Sequence, residues 1–362
     1  MAHTLQFPDG FHWGAATAAH QIEGNNINSD WWPREHAAGT SIVEPSGDAA
    51  DSYHRYAEDM RLLKDAGLDT YRFSIEWARI EPEKGFVSRA EIDHYRRMVD
   101  TALELGITPM VTLMHFTVPR WFADEGMWRA ADATDRFARY VETALPVLGD
   151  DVHWVCTINE PNIAAMIAGG EDPANLVAYG LPAPDLAVAD TLLDCHHRAQ
   201  EILSGVGGIR SGWTIATQAF QAEPGCEDVK HAYGYPRDDW YLEMSRGDDW
   251  VGVQAYTRTI IGPDGPRQVP DGVETTLTGW EYYPPAMAEA SAPPGSSPAA
   301  SRCSSPRTAS PPATTPAGST TPRPPWPSCT PRSRTASPSR ATCTGPCWTT
   351  TNGPPATGRP SG

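Results

Sequence analysis

The chain lacks a leader-like opening. "MAHTLQFPDGFHWG" contains no basic segment followed by an apolar one, and no run in the 362 residues is long enough to span a bilayer. The expectation is a cytoplasmic protein made without a targeting signal. Positive charge is also scarce. A net charge of −17 sets aside nucleic acid and anionic membrane as partners. The largest absence is local. From Ser291 to Gly362 there is no Val, Ile, Leu, Met, Phe or Tyr, and no Asp, Glu or Lys. Pro, Ser, Thr, Ala, Gly, Arg and some Cys dominate there, with Trp326 and Trp348 as the large apolar residues. Such a segment cannot bury enough apolar surface to offset its ordering entropy. Residues 291–362 are therefore expected to be a disordered tail, and residues 1–290 to carry the fold.

Four of the seven cysteines (Cys303, Cys329, Cys343, Cys347) fall in that tail. Cys343 and Cys347 are spaced C-x3-C, but no His accompanies them, so no metal site or other cofactor is expected. Cys156, Cys195 and Cys226 fit thiols in a reducing compartment.

Within 1–290, strand and helix patterns alternate. Short apolar runs read as strands at 11–19, 68–75, 107–114, 153–158, 211–219 and 249–256. Between them, 51–67 is an amphipathic helix stopped by Gly67. The segment 88–106 opens on a capping box, Ser88 with Glu91, and closes on Gly106. Further helices are expected near 132–148 and 187–204. Alternating β and α with apolar strands predicts a parallel sheet covered by helices. Polar residues gather where the strands end: Arg72 and Ser74, His115, Asn159 and Glu160, Gln218, Gln254 and Tyr256. A TIM barrel builds its site from those ends. Six strands would make it an incomplete (β/α)8 barrel, about six of eight. A doubly wound sheet is the second choice, and the Gly-rich phosphate loop that usually announces one is missing.

The blocks "FHWGAATAAHQIEG" (11–24), "YRFSIEWARIEP" (71–82), "TLMHFTVPRW" (112–121) and "TINEP" (157–161) occur in order, and "TGWEYYP" (278–284) follows. Together they resemble glycoside hydrolase family 1, the retaining β-glucosidases. The resemblance implies hydrolysis of terminal β-D-glucosyl residues, with small β-glucosides or oligosaccharides as partners. It implies that Glu160 is the general acid/base, that Asn159 bonds the sugar 2-OH, and that Gln21 and His115 hold outer hydroxyls. Tyr256 matches the family's strand-six tyrosine, and Arg72 the arginine beside the nucleophile. Gln254 stands where the family has Asn, and Phe116 where Trp is common. The pair His196-His197 lies in a helix and reads as packing.

The chemistry requires such groups. A glycosidic oxygen leaves poorly unless protonated, and a partly buried Glu near another carboxylate has its pKa raised enough to carry that proton near neutral pH. In a retaining enzyme that second carboxylate lies about 5–5.5 Å away and attacks the anomeric carbon. The family carries it on a T-E-N-G block at the end of strand seven. No such block exists here. Glu76 and Glu23 are the nearest substitutes the sequence offers.

The codons behind the tail account for the loss. Joining the last base of each codon to the first two of the next, "RCSSPRTAS" (302–310) permits V-L-V-T-E-N-G-I. In the same frame, "RATCTGPCWTTTNG" (340–353) permits G-Y-L-H-W-S-L-L-D-N-Y-E-W, and its Asp is forced by the single Trp codon at Trp348. These resemble the strand-seven and strand-eight blocks. The reading frame is inferred to slip between about Tyr283 and Ser291, leaving the nucleophile absent from the chain. On this reading the protein is a β-glucosidase inactive as written. The alternative is a non-catalytic sugar-binding remnant. A secreted protein with a glycosylated Pro/Ser/Thr stalk is disfavoured by the missing leader.

Overall fold

The computed structural model describes residues 7–169, 180–276 and 278–291. The expected tail, with both shifted-frame blocks, lies outside the described residues save for Ser291.

Six parallel strands follow one another in sheet order: β1 (Gly14–Ala16), β2 (Thr70–Ser74), β3 (Thr108–Met114), β4 (Trp154–Asn159), β5 (Arg210–Ala222) and β6 (Trp250–Gly262). A two-residue β7 (Gly265–Pro266) turns back antiparallel on β6. The short α1 (Ala19–Ile22) and α2 (Trp31–Glu35) lie in the first crossover, which α3 (Ser52–Asp65) completes. The next crossovers hold α4 (Trp77–Ile80) and α5 (Arg89–Glu104), then α6 (Arg120–Asp124) and α7 (Ala133–Leu148). After β4 come α8 (Pro161–Ala168) and α9 (Leu186–Ser204), after β5 α10 (Glu227–Gly234) and α11 (Trp240–Met244), and last α12 (Ala286–Ala290). Among the described residues the ring does not close, because β1 pairs with β2 alone and β6 meets only β7 on its far side. The architecture is an incomplete (β/α)8 barrel.

Local chemistry explains most boundaries. Gly67 (φ 83°) and Gly106 (φ 66°) follow α3 and α5 in the left-handed region that only glycine enters without strain. The Ser88 hydroxyl caps α5 by accepting from the Glu91 amide. The Glu91 side chain does not complete the capping box. It accepts instead from the Tyr53 hydroxyl, 3.0 Å away on α3, so a tertiary partner displaces the local one.

The sheet has two apolar faces. Outward side chains such as Tyr71, Phe73, Val111, Leu113, Trp213 and Ile215 join the buried faces of α5, α7 and α9 in one core. Each large side chain so buried contributes about 1.5–3 kcal/mol. Inward, Met110, Trp154, Cys156 and Trp250 form a second, smaller cluster that plugs the barrel interior. The strands β5 and β6 run to 13 residues each, past the expected ends at 219 and 256. The β5 extension is half-buried throughout and most of the β6 extension alternates in burial, so neither reads as a buried apolar run, which is why the apolar pattern stops short of them. No helix among the described residues is long and apolar enough to cross a membrane.

Candidate active site

Two bulges place the polar groups above the apolar plug. Along β4, Thr157 turns outward to His196 of α9 (2.6 Å) and Ile158 joins the outer core. Two successive residues thus face out, because β4 gains one residue against β5 between Cys156 and Asn159. The extra residue brings Asn159 inside. On β6 the register slips opposite Gln218 of β5. Gln254 is the last inward side chain before that slip, and Tyr256 lies within it. Phe116 (φ 67°) and Glu160 (φ 49°) both adopt left-handed backbone just past a strand end. That conformation costs a non-glycine residue about 1–3 kcal/mol and persists where the surroundings hold it. Glu160 is also the residue before α8, and Pro161 begins the helix without needing a partner for a missing N–H. The Glu160 carboxylate makes no capping bond and is left to the site.

Arg72, 3% exposed, is the hub. Its Nη1 donates to Asn159 Oδ1 (2.9 Å) and its Nη2 to Gln254 Oε1 (2.9 Å). A guanidinium only donates, so both amides must turn their oxygens to it. Asn159 then presents its NH2 to His115 Nε2 at 3.1 Å. That nitrogen must accept, so His115 is neutral with its proton on Nδ1. Burial, aided by the Arg72 charge, holds its pKa well below the usual imidazole range. His115 Nδ1 and Arg72 Nε are buried without a hydrogen-bond partner. Both are donors aimed at no described acceptor.

Glu160 completes the cluster. It is 6% exposed, and its Oε1 accepts from Gln254 Nε2 (2.7 Å) and the Tyr256 hydroxyl (3.3 Å). Burial raises its pKa to about 7, against the pull of the Arg72 charge and the two hydrogen bonds. Among the described residues no other carboxylate contributes to that rise, so desolvation does there what was expected of a carboxylate pair. Glu76 caps α4 and accepts from Thr117 (2.7 Å). Glu23, raised to about 7 chiefly by burial, is bound by Arg79 (2.8 Å) and Tyr95 (3.1 Å). Neither substitute carboxylate shares a hydrogen-bond partner with Glu160.

The structure thus joins Arg72, His115, Asn159, Glu160 and Tyr256. Gln21 stands apart, exposed on α1, with no hydrogen bond into the cluster. Two strand-end residues serve elsewhere. Ser74 Oγ accepts from the Ala19 amide (2.7 Å), and Gln218 accepts from the Thr259 hydroxyl. The sequence reading missed the function of Gln254. The signal was its position, two residues before Tyr256 on the same face of a strand. His196 is fully buried, stacks on Trp213 at 4.1 Å and bonds Thr157 and Asp248, which is packing. A cavity of about 220 Å3 opens beside Phe116 and the C-terminal half of α8, lined also by Trp31, Met127 and Trp128. Chemically, the cluster can offer one proton near neutral pH and several fixed donors to hydroxyl groups.

The chain is similar to known proteins in sequence and fold. Residues 3–174 match glycosyl hydrolase family 1. Over 172 residues the chain is 46% identical to thermostable β-glucosidase B of Thermobispora bispora, covering 46% of this chain but spanning only 36% of that relative. Over 333 residues it is 38% identical to β-glucosidase A of Thermotoga maritima, covering 77% of this chain and 73% of the relative. A solved β-glycosidase superposes with a TM-score of 0.70 at 40% identity, over 78% of this chain and 73% of that one. With a family model, a relative matched over most of its length and the fold all in agreement, the chain belongs to glycosyl hydrolase family 1.

Proposed function

We propose that the chain is a β-glucosidase-type glycoside hydrolase by descent, acting on terminal β-D-glucosyl residues through a retaining route, with Glu160 as general acid/base. The observation that carries this is the Glu160 carboxyl itself, buried at a strand end with a pKa of about 7. Such a group is half protonated at neutral pH and can both give and take a proton, which a retaining mechanism asks of one residue in turn. Positioned acid catalysis of this kind contributes about 10²–10⁴-fold. Asn159 and His115 are the proposed contacts to sugar hydroxyls, with Gln21 brought in by substrate. The cavity beside Phe116 is the proposed place of the leaving group.

The nucleophile is the unfilled role. Arg72, beside which the family holds that carboxylate, is met by amide oxygens among the described residues. This fits the reading in which residues 1–290 form the barrel part and 291–362 are frame-shifted, so that the nucleophile is absent and the chain as written is inactive. It equally favours a second reading, a remnant that binds β-glucosides without cleaving them. Three measurements decide. p-Nitrophenol release from p-nitrophenyl β-D-glucoside is followed for the chain as written and for the frame-restored chain, with turnover expected only from the latter. Calorimetry with a non-hydrolysable thioglucoside is expected to show binding by the chain as written if it is a remnant. In the restored chain, Glu160→Gln should slow substrates with poor leaving groups far more than activated aryl glucosides. Equal losses would remove Glu160 from the acid role, and turnover by the uncorrected chain would hand the nucleophile role to another carboxylate.

A further inference from the structure

Gln254 is the residue that, among the described residues, hydrogen-bonds both the Arg72 guanidinium and the Glu160 carboxyl. Its amide cannot be turned round. Arg72 Nη2 only donates, so the 2.9 Å contact fixes Oε1 on that side. Nε2 is therefore the group 2.7 Å from Glu160 Oε1. The Tyr256 hydroxyl meets the same oxygen at 3.3 Å. No described residue hydrogen-bonds Glu160 Oε2.

A protonated carboxyl carries its hydrogen on one oxygen. An oxygen that already accepts two donors has no room to become a donor toward them. We propose that Gln254 is a positioning residue which keeps the Glu160 proton on Oε2, the oxygen that no described residue donates to, and couples that carboxyl to Arg72. The proposal rests on the reading of Glu160 as the acid/base. It gives a specific role to the glutamine that stands here in place of the family's asparagine. The Gln254 side chain spans the gap between Arg72 and Glu160, receiving a hydrogen bond at one end and donating one at the other. It also favours the ionised carboxyl, because a donor at Oε1 stabilises negative charge more than the neutral acid.

The test needs no turnover. The full chain is labelled with δ-13C glutamate, and the Glu160 resonance is assigned by its loss in Glu160→Gln. In Gln254→Met the donor is gone and the shape is kept, so the Glu160 titration should move up by about one pKa unit. Gln254→Glu should move it further, because a second carboxylate faces Glu160 and takes part of the Arg72 charge. In infrared difference spectra below the Glu160 pKa, the protonated C=O stretch should rise in Gln254→Met, since its oxygen has lost a donor. Unchanged titration in both variants, or an unmoved C=O band, overturns the proposal. Should Gln254→Met fail to fold, Gln254→Glu carries the titration arm. Loss of the acid role for Glu160 would instead appear as equal slowing of good and poor leaving groups, with these titrations unaffected.

Discussion

The sector built on β2–β4 and the arm formed by β5 and β6 solve different problems. The strands β2, β3 and β4 are buried at nearly every residue, with helices outside and the plug or Arg72 inside. That is the condition of a parallel strand covered on both faces. In β6, buried and half-buried residues alternate, and the alternation slips at Ala255–Tyr256. The arm is instead tied by polar groups. Arg258 pairs with Glu281 (2.7 Å), and Gln221 reaches both Tyr283 and Glu289. The site sits where the two regimes meet: Arg72, His115 and Asn159 come from the first, Gln254 and Tyr256 from the second. Packing fixes one half of it and a bulged, hydrogen-bonded strand aims the other.

The comparison breaks first in the covered sector. Trp77, 1% exposed, stacks on Tyr140 at 4.8 Å and donates to Glu81. Trp77→Ala should destabilise by about 3–5 kcal/mol in urea unfolding followed by fluorescence. A loss comparable to that of a surface change would mean the sector is not close-packed.

The seam between the regimes should show in pH dependence. The folded pKa of Glu160 is raised to about 7, so between its unfolded value and 7 the folded state binds more protons than the unfolded one. Stability contributed by this group therefore falls as pH rises through that window, by about 3 kcal/mol in all. Glu160→Gln should remove that fall, read as the difference between unfolding free energies near pH 5 and pH 7.5. His115 acts in the opposite sense, since burial keeps it neutral and it favours unfolding as pH drops below the imidazole range. The Glu160→Gln difference isolates the carboxyl, because His115 is present in both proteins.

Smaller effects belong to the arm. Arg258 and Glu281 are partly exposed, so Arg258→Gln should cost at most about 1 kcal/mol. Hydrogen exchange should quicken in the 258–262 segment while β2–β4 stay protected. Protection lost equally everywhere would show that the two sectors open together. Least of all, Tyr282, 58% exposed, should tolerate Ala within about 0.5 kcal/mol.

Much of this was legible in the sequence because it is local. Apolar runs between helical periods marked six strands, Gly67 and Gly106 marked helix ends, and Asn159-Glu160-Pro161 marked the end of a strand. The helix that follows at Pro161 was not among the helices expected. The signals that were read depend on neighbours within a few residues, where backbone sterics and amphipathic period act directly. The tertiary structure decided the rest. It drew Glu91 away from its capping box to Tyr53, flipped Asn159 inward by one extra residue in β4, and left Gln21 at the surface. It made Gln254 the bridge between Arg72 and Glu160, residues 182 and 94 positions away in the chain. It raised Glu160 to about 7 by burial rather than by a second charge. Each of these depends on which distant group arrives at hydrogen-bond distance and on how much water is excluded there. A linear pattern records neither, because both are properties of the assembled sheet.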